Sequence, residues 1–257
     1  MKIGFIGFGN MASAICEGLI KSGFNSNDIY ASSLHYDKLI QRTNKYHINP
    51  LKDNNSVAKT CDVIILGVKP FQMEQVINEI SDNLNNQLII SIAASFTFNS
   101  LIKLFNKKVN LVVTIPSTPI ASLEGITICD QKTSLTKTQL ETFLSLFSKM
   151  GLVEFVSEDK LDIASTLSGC GPAFISMVIE SLSDAGVKHG LTYEESFRLV
   201  SKMVLGSAKK CLETKTHPAI LKNEVCSPKG TTIKGVAKLE ELGLRNAFIK
   251  AIDEIVG

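Results

Sequence analysis

Gly4-Phe5-Ile6-Gly7-Phe8-Gly9-Asn10-Met11-Ala12 decides how the first half of this chain folds. The short run Lys2–Ile6 ends against a glycine and predicts a buried strand. Asn10–Lys21 then places Met11, Ala14, Ile15, Leu19 and Ile20 at helical spacing, with Gly23 just past the end as a C-terminal cap. The join between them reads G-x-G-x-x-A, in the strand-to-helix setting that a dinucleotide fingerprint requires. Gly7 permits a tight turn, and Gly9 lets the backbone approach a pyrophosphate. Asn10 and Met11 open the helix, whose N-terminus carries a partial positive charge, and the small Ala12 allows close helix–strand packing.

A lone fingerprint is a weak signal, but here it heads a full alternating pattern. Strands are predicted at Ile29–Ala31, Val63–Leu66, Leu88–Ile92 and Leu111–Ile115, with helices at Tyr36–Lys45 and Phe71–Ile80. Such alternation predicts a parallel sheet with right-handed crossovers. Ile126–Cys129 and Val153–Val156 extend it, with a helix over Lys137–Lys149 between them. Asp130–Thr138 is polar and reads as a surface loop. After about Ser157 the strand signal fades, and Leu161–Leu167, Ala173–Asp184, Tyr193–Thr214, Pro218–Asn223, Thr232–Leu242 and Arg245–Ile255 all favour helix. The expected fold is therefore α/β: a Rossmann-type, doubly wound parallel sheet over residues 1–157, then an all-helical domain over 158–257. Ala173–Ala185 is apolar on most of its surface, which suggests a helix buried on several sides and a pairing with a second copy.

Composition narrows the partners. The 257 residues are 44% hydrophobic and 20% charged, with a net charge of +2, which gives no push toward nucleic acid or a membrane surface. Six scattered cysteines without a C-x-x-C pair suggest neither a zinc knuckle nor a redox motif and suit a reducing cytoplasm. The four histidines show no metal-ligand spacing.

A site selective for NAD usually carries Asp or Glu at the end of the second strand, on the ribose 2′-hydroxyl. That region here reads Tyr30-Ala31-Ser32-Ser33-Leu34-His35, without a carboxylate. Ser32 and Ser33, with His35 and Lys38 nearby, instead suit a 2′-phosphate, so the reading favours NADPH, with NADH possible. Val68-Lys69-Pro70 follows the Val63–Leu66 strand, at the carboxyl edge where ligands bind in open α/β sheets.

One late segment is odd for a helical region: Val225-Cys226-Ser227-Pro228-Lys229-Gly230-Thr231-Thr232. Alone it fits a solvent-facing turn with a helix cap. With the other motifs it resembles the S-P-G-G-x-T loop of the pyrroline-5-carboxylate reductase family. The resemblance covers nearly the whole chain. Gly7–Ala12 is similar to the family's fingerprint, Val68-Lys69-Pro70 to its V-K-P, and Asn54 to an asparagine near the adenine ribose. Ser168-Gly169-Cys170-Gly171-Pro172-Ala173-Phe174 resembles the start of its interface helix, and Leu239-Glu240 with Leu244-Arg245 its L-E-x-x-G-x-R.

The resemblance implies a homodimer or larger ring that reduces 1-pyrroline-5-carboxylate to proline. Backbone N–H groups of Gly230, Thr231 and Thr232 would hold the substrate carboxylate, beside Ser227, and the Thr232 hydroxyl would reach the ring nitrogen. There are three departures. Val113 and Ser117 stand where the family has Arg and Asn in R-x-M-P-N-T-P, and Lys229 replaces the first loop glycine. Two alternatives stay in view: a β-hydroxyacid dehydrogenase-like enzyme, which shares the G-x-G-x-M start and a helical second domain, and a catalytically silent nucleotide-binding paralogue, suggested by Val113 and Ser117. The first expects a lysine on the long substrate-domain helix, and Pro172–Glu180 has none.

Overall fold

The computed structural model describes all 257 residues. They form two compact units, Met1–Gly169 and Cys170–Gly257.

The first unit is built on one eight-stranded sheet. Its strands are β1 (Ile3–Ile6), β2 (Ile29–Ser32), β3 (Asn49–Pro50), β4 (Val63–Leu66), β5 (Leu88–Ser91), β6 (Asn110–Pro116), β7 (Gly125–Asp130) and β8 (Gly151–Val156), in the order β3-β2-β1-β4-β5-β6-β7-β8. The order reverses beside β1, the topological switch point where this class of sheet binds ligands. Helices α1 (Asn10–Lys21), α2 (Tyr36–Tyr46), α3 (Asn54–Thr60), α4 (Met73–Ile80), α5 (Phe98–Leu101), α6 (Lys137–Phe147) and α7 (Leu161–Gly169) complete the unit.

The central strands read as unbroken apolar runs because both faces are covered. Ile3, Phe5, Val63, Ile65, Leu88, Ile90 and Val112 point into one core, with Ile15 and Leu19 of α1 and Phe143 and Phe147 of α6. Their neighbours Ile6, Ile64, Leu66, Ile89, Leu111 and Val113 point into a second core, with Val57 of α3, Met73 and Ile77 of α4 and Leu101 of α5. A strand's two-residue period assigns each side chain to its layer.

Two features depart from the sequence expectation. First, β7 runs antiparallel to β6, with Thr114 opposite Cys129. Only a short 3₁₀ turn (Thr118–Ser122) joins them, too little chain for a parallel crossover. Second, Asp130 is no loop residue: it is fully buried, and its carboxylate accepts hydrogen bonds from the Phe98 and Lys132 N–H groups. Thr133 and Ser134 then donate side-chain hydrogen bonds to the β6 region, on the Leu111 and Val109 carbonyls. The compact division lies after Gly169, because α7 packs on β6 and β7. Ser157 marks where strands give way to helices.

The second unit contains α8 (Gly171–Lys188), α9 (Tyr193–Thr214), α10 (Pro218–Glu224), α11 (Thr231–Glu241) and α12 (Leu244–Val256). Helices α8 and α9 approach closely where side chains are small, and the Ser196 hydroxyl donates to the Ser183 carbonyl at 2.8 Å. Ser183 and Ser196 are the only buried residues of this unit. No apolar side chain in it is fully covered, while Met177, Leu199, Leu212, Leu242 and Ile249 stand well exposed.

Candidate active site

A cavity of about 720 Å³ opens at the carboxyl ends of β1, β2 and β4. Gly7 forms its floor at φ +86°, a conformation glycine adopts without strain. A Cβ there would lie 2.8 Å from the Gly67 carbonyl carbon and from the Val68 nitrogen. The Gly7 N–H donates to the Ser32 carbonyl at 3.0 Å, which ties the turn to β2. Gly9 is different: nothing lies within 4 Å of where its Cβ would be. It caps α1 without a side-chain hydrogen bond, and the first helical bond is donated by Ser13 to the Gly9 carbonyl. The N–H groups of Asn10, Met11 and Ala12 are left without helical partners, at the positive end of the helix dipole. Such an arrangement of free N–H groups suits an anion. Ala12 is buried, and Met11 packs partly against the first core.

Of the other expected cofactor residues, Ser33, Asn54, Val68 and Lys69 border the cavity, whereas Asn10, Met11, Ala12 and Pro70 do not. Pro70 starts a 3₁₀ turn on the exposed side of that edge. Ser32 is placed differently. It is buried, and its hydroxyl donates to Asn54 Oδ1 at 2.8 Å instead of facing the cavity. Asn54 Nδ2 in turn donates to Glu79 Oε2 at 2.8 Å, so Ser32 orients the asparagine that borders the site. Sequence reasoning missed Arg42, Lys52 and Glu79, which also line the cavity. The i,i+4 spacing of Lys38 and Arg42 was the available signal for a basic helix face.

Asp53 also borders the cavity, but its carboxylate caps α3 by accepting from the Ser56 N–H at 2.7 Å. Hydrogen bonds from Ser56 hold it below the usual carboxylate range. The buried thiols of Cys16 and Cys61 are pushed up to about 12, and that of Cys129 further, mainly by desolvation. None of these three supplies a thiolate near neutral pH.

The second unit carries the other expected cluster. Ser227-Pro228-Lys229-Gly230 forms a turn in which the Gly230 N–H donates to the Ser227 carbonyl at 3.0 Å. Lys229 sits at φ +59°, the third position of a type II pattern, where glycine is preferred. Gly230 then caps α11 without any side-chain hydrogen bond. By contrast Asp53, Thr97, Thr136 and Thr192 cap their helices with side-chain oxygens. The N–H groups at Thr231 and Thr232 therefore begin a helix with no internal acceptor, and both residues are exposed.

The other departures are absorbed by the fold. Val113 is buried in the second core. Ser117 ties the β6–β7 connection: its N–H donates to the Ile126 carbonyl and its hydroxyl accepts from the Ile126 N–H, both at 2.8 Å.

Comparison with known proteins decides the family. Residues 158–257 match the family model described as pyrroline-5-carboxylate reductase dimerisation, and residues 2–95 match one described as NADP oxidoreductase coenzyme F420-dependent. The pyrroline-5-carboxylate reductase of Escherichia coli strain K12 is 36% identical over 98% of this chain and 94% of its own length. This chain belongs to the pyrroline-5-carboxylate reductase family. The reductase structure from Coxiella burnetii, 36% identical, covers 99% of this chain and 96% of that one with a TM-score of 0.87. The Plasmodium falciparum structure, 29% identical and described with NADP bound, covers 99% and 95% at the same TM-score. Membership in this family also accounts for the exposed apolar faces of the second unit. The stretch Glu158–Lys188 is long and apolar enough to cross a membrane by composition, yet it lies within the dimerisation region.

Proposed function

We propose that this protein reduces 1-pyrroline-5-carboxylate to L-proline by hydride transfer from NAD(P)H, the last step of proline biosynthesis. The observation that carries this reading is that similarity to the reductases runs through both units, over 98% of the chain. The residues present fit the cofactor: the Gly7–Gly9 turn leaves open the space a pyrophosphate needs, and no carboxylate stands at the end of β2. Bound NADPH would supply the hydride that reduces the imine carbon.

The chain's own task is binding and alignment. Gly7, Gly9 and the first turn of α1 would hold the pyrophosphate, and Ser33, Lys38, Arg42 and Lys52 would face a 2′-phosphate. Asn54, Val68 and Lys69 would border the remaining nucleotide. On the substrate side, the free N–H groups at the start of α11 form an anion site for the carboxylate. The Thr232 hydroxyl would hydrogen-bond the ring nitrogen, and solvent would supply its proton. Holding the reacting atoms about 3–3.5 Å apart accounts for much of the acceleration in such a reaction. No nucleophilic or paired-carboxylate machinery is required.

The test is to follow NADPH absorbance with pyrroline-5-carboxylate, and NADP reduction with β-hydroxy acids. Turnover of the imine, with a higher kcat/KM for NADPH than for NADH, is expected. Turnover of hydroxy acids alone, or cofactor binding without turnover of either, would overturn the reading. The protein is further expected to sediment as a dimer or larger assembly, since an apolar surface of this extent usually marks an interface. A well-folded monomer at micromolar concentration would refute that.

A further inference from the structure

We infer that Arg42 is a positioning residue that couples recognition of the 2′-phosphate to the shape of the pyrophosphate turn, an inference that rests on the cofactor reading above. Leu39 and Thr43 are buried under α2, which fixes the rotation of that helix and turns Lys38 and Arg42 toward the cavity. Arg42 Nη1 donates to the Phe8 carbonyl at 2.7 Å, and Nη2 lies 3.5 Å from Asn10 Oδ1. The guanidinium therefore spans Gly9 and holds the residues on both sides of it.

The other end of Phe8 is fixed as well. Its ring is buried edge-on against Phe5, with centroids 5.4 Å apart, and against Tyr46 at 6.3 Å. The Gly9 carbonyl is taken by the Ser13 N–H, the first bond of α1, while the Phe8 carbonyl is held from the solvent side by Arg42. Arg42, Lys38 and Lys52 all border the cavity, and none of them forms an ion pair with a carboxylate. Unpaired cations beside a cavity suit a dianionic phosphate. A planar guanidinium has five N–H donors, enough to keep the Phe8 carbonyl and still bind phosphate oxygens, whereas an ammonium offers a compact point charge without that fork.

Equilibrium binding separates the two roles. NADP and NAD would be titrated into wild type, Arg42→Met, Arg42→Lys and Lys38→Met, each checked for folding by thermal melting. Arg42→Met should weaken NAD several-fold through the turn. It should weaken NADP by roughly a further tenfold, the scale of one hydrogen bond to a charged group. Arg42→Lys should restore most of the NADP-to-NAD ratio but leave both affinities weaker than wild type. Lys38→Met should lower the ratio alone. Unchanged NAD affinity in Arg42→Met, or full recovery of both affinities in Arg42→Lys, would overturn the positioning role. Failure of the wild type to bind either dinucleotide would instead overturn the cofactor reading.

Discussion

Replacing Lys229 by glycine tests the turn that leads into α11. Lys229 occupies the left-handed region at φ +59°, where a side chain costs about 1–2 kcal/mol through crowding of its Cβ. Glycine removes that strain but is more flexible in the unfolded chain, at a cost of about 0.5–1 kcal/mol. The balance is a gain of about 0–1.5 kcal/mol, with a midpoint near 0.75 kcal/mol. For a chain of this size each kilocalorie moves Tm by about 2–4 °C, so at the midpoint gain Lys229→Gly should melt about 1.5–3 °C higher than wild type. Lys229→Ala is the control, because alanine keeps the Cβ and the strain while losing the charge. The melts must be run at one protein concentration, since assembly makes Tm concentration-dependent. A Tm for the glycine variant at or below that of the alanine variant would refute the strain argument. The same pair reports on charge: if the exposed ammonium assists capture of the substrate carboxylate, both variants raise KM at low ionic strength, and the difference disappears in high salt.

Thr232→Ala should lower kcat/KM for pyrroline-5-carboxylate by roughly tenfold or more, the loss of one hydrogen bond to a charged partner; unchanged kinetics would remove Thr232 from the site. Ser117→Ala strips the acceptor from the Ile126 N–H and should destabilise the protein by about 1–2 kcal/mol, with its fluorescence-detected nucleotide affinity unaltered. Asp53→Ala should cost about 1 kcal/mol near neutral pH by uncapping α3. Because the folded Asp53 titrates below its unfolded value near 3.9, its contribution is complete above that pH and is lost as pH falls through the lower, folded value. Melts of wild type and Asp53→Ala should therefore converge in acid, and a gap independent of pH would contradict the cap.

Much of this arrangement was legible in the sequence. Strand β4 and helix α9 span the residues their patterns predict, since an unbroken apolar run and a long helical period leave little choice. Strand β3 and helix α3 were not. Asn49–Pro50 is a strand only because it lies against β2, Tyr30 opposite Asn49. Helix α3 reads N-N-S-V-A-K-T, a run with weak intrinsic preference, and is held by the Asp53 cap and the burial of Val57 and Ala58. The direction of β7 has no signature within its own residues. At the site, the glycines and the missing acid were readable because they concern what backbone and charge allow. Where the Ser32 hydroxyl points, and how far Arg42 reaches, depend on neighbours from other elements.

The second unit, lacking an interior of its own, ties the life history of the protein to its abundance. During translation the sheet unit emerges first and can complete both of its cores alone. The last 88 residues, from Cys170 onward, then hold their apolar faces in water until another copy arrives. The final stage of maturation is thus a second-order event, slow when synthesis is sparse and rapid when it is brisk. A chain that never meets a counterpart keeps displaying the surfaces that chaperones and proteases seize upon.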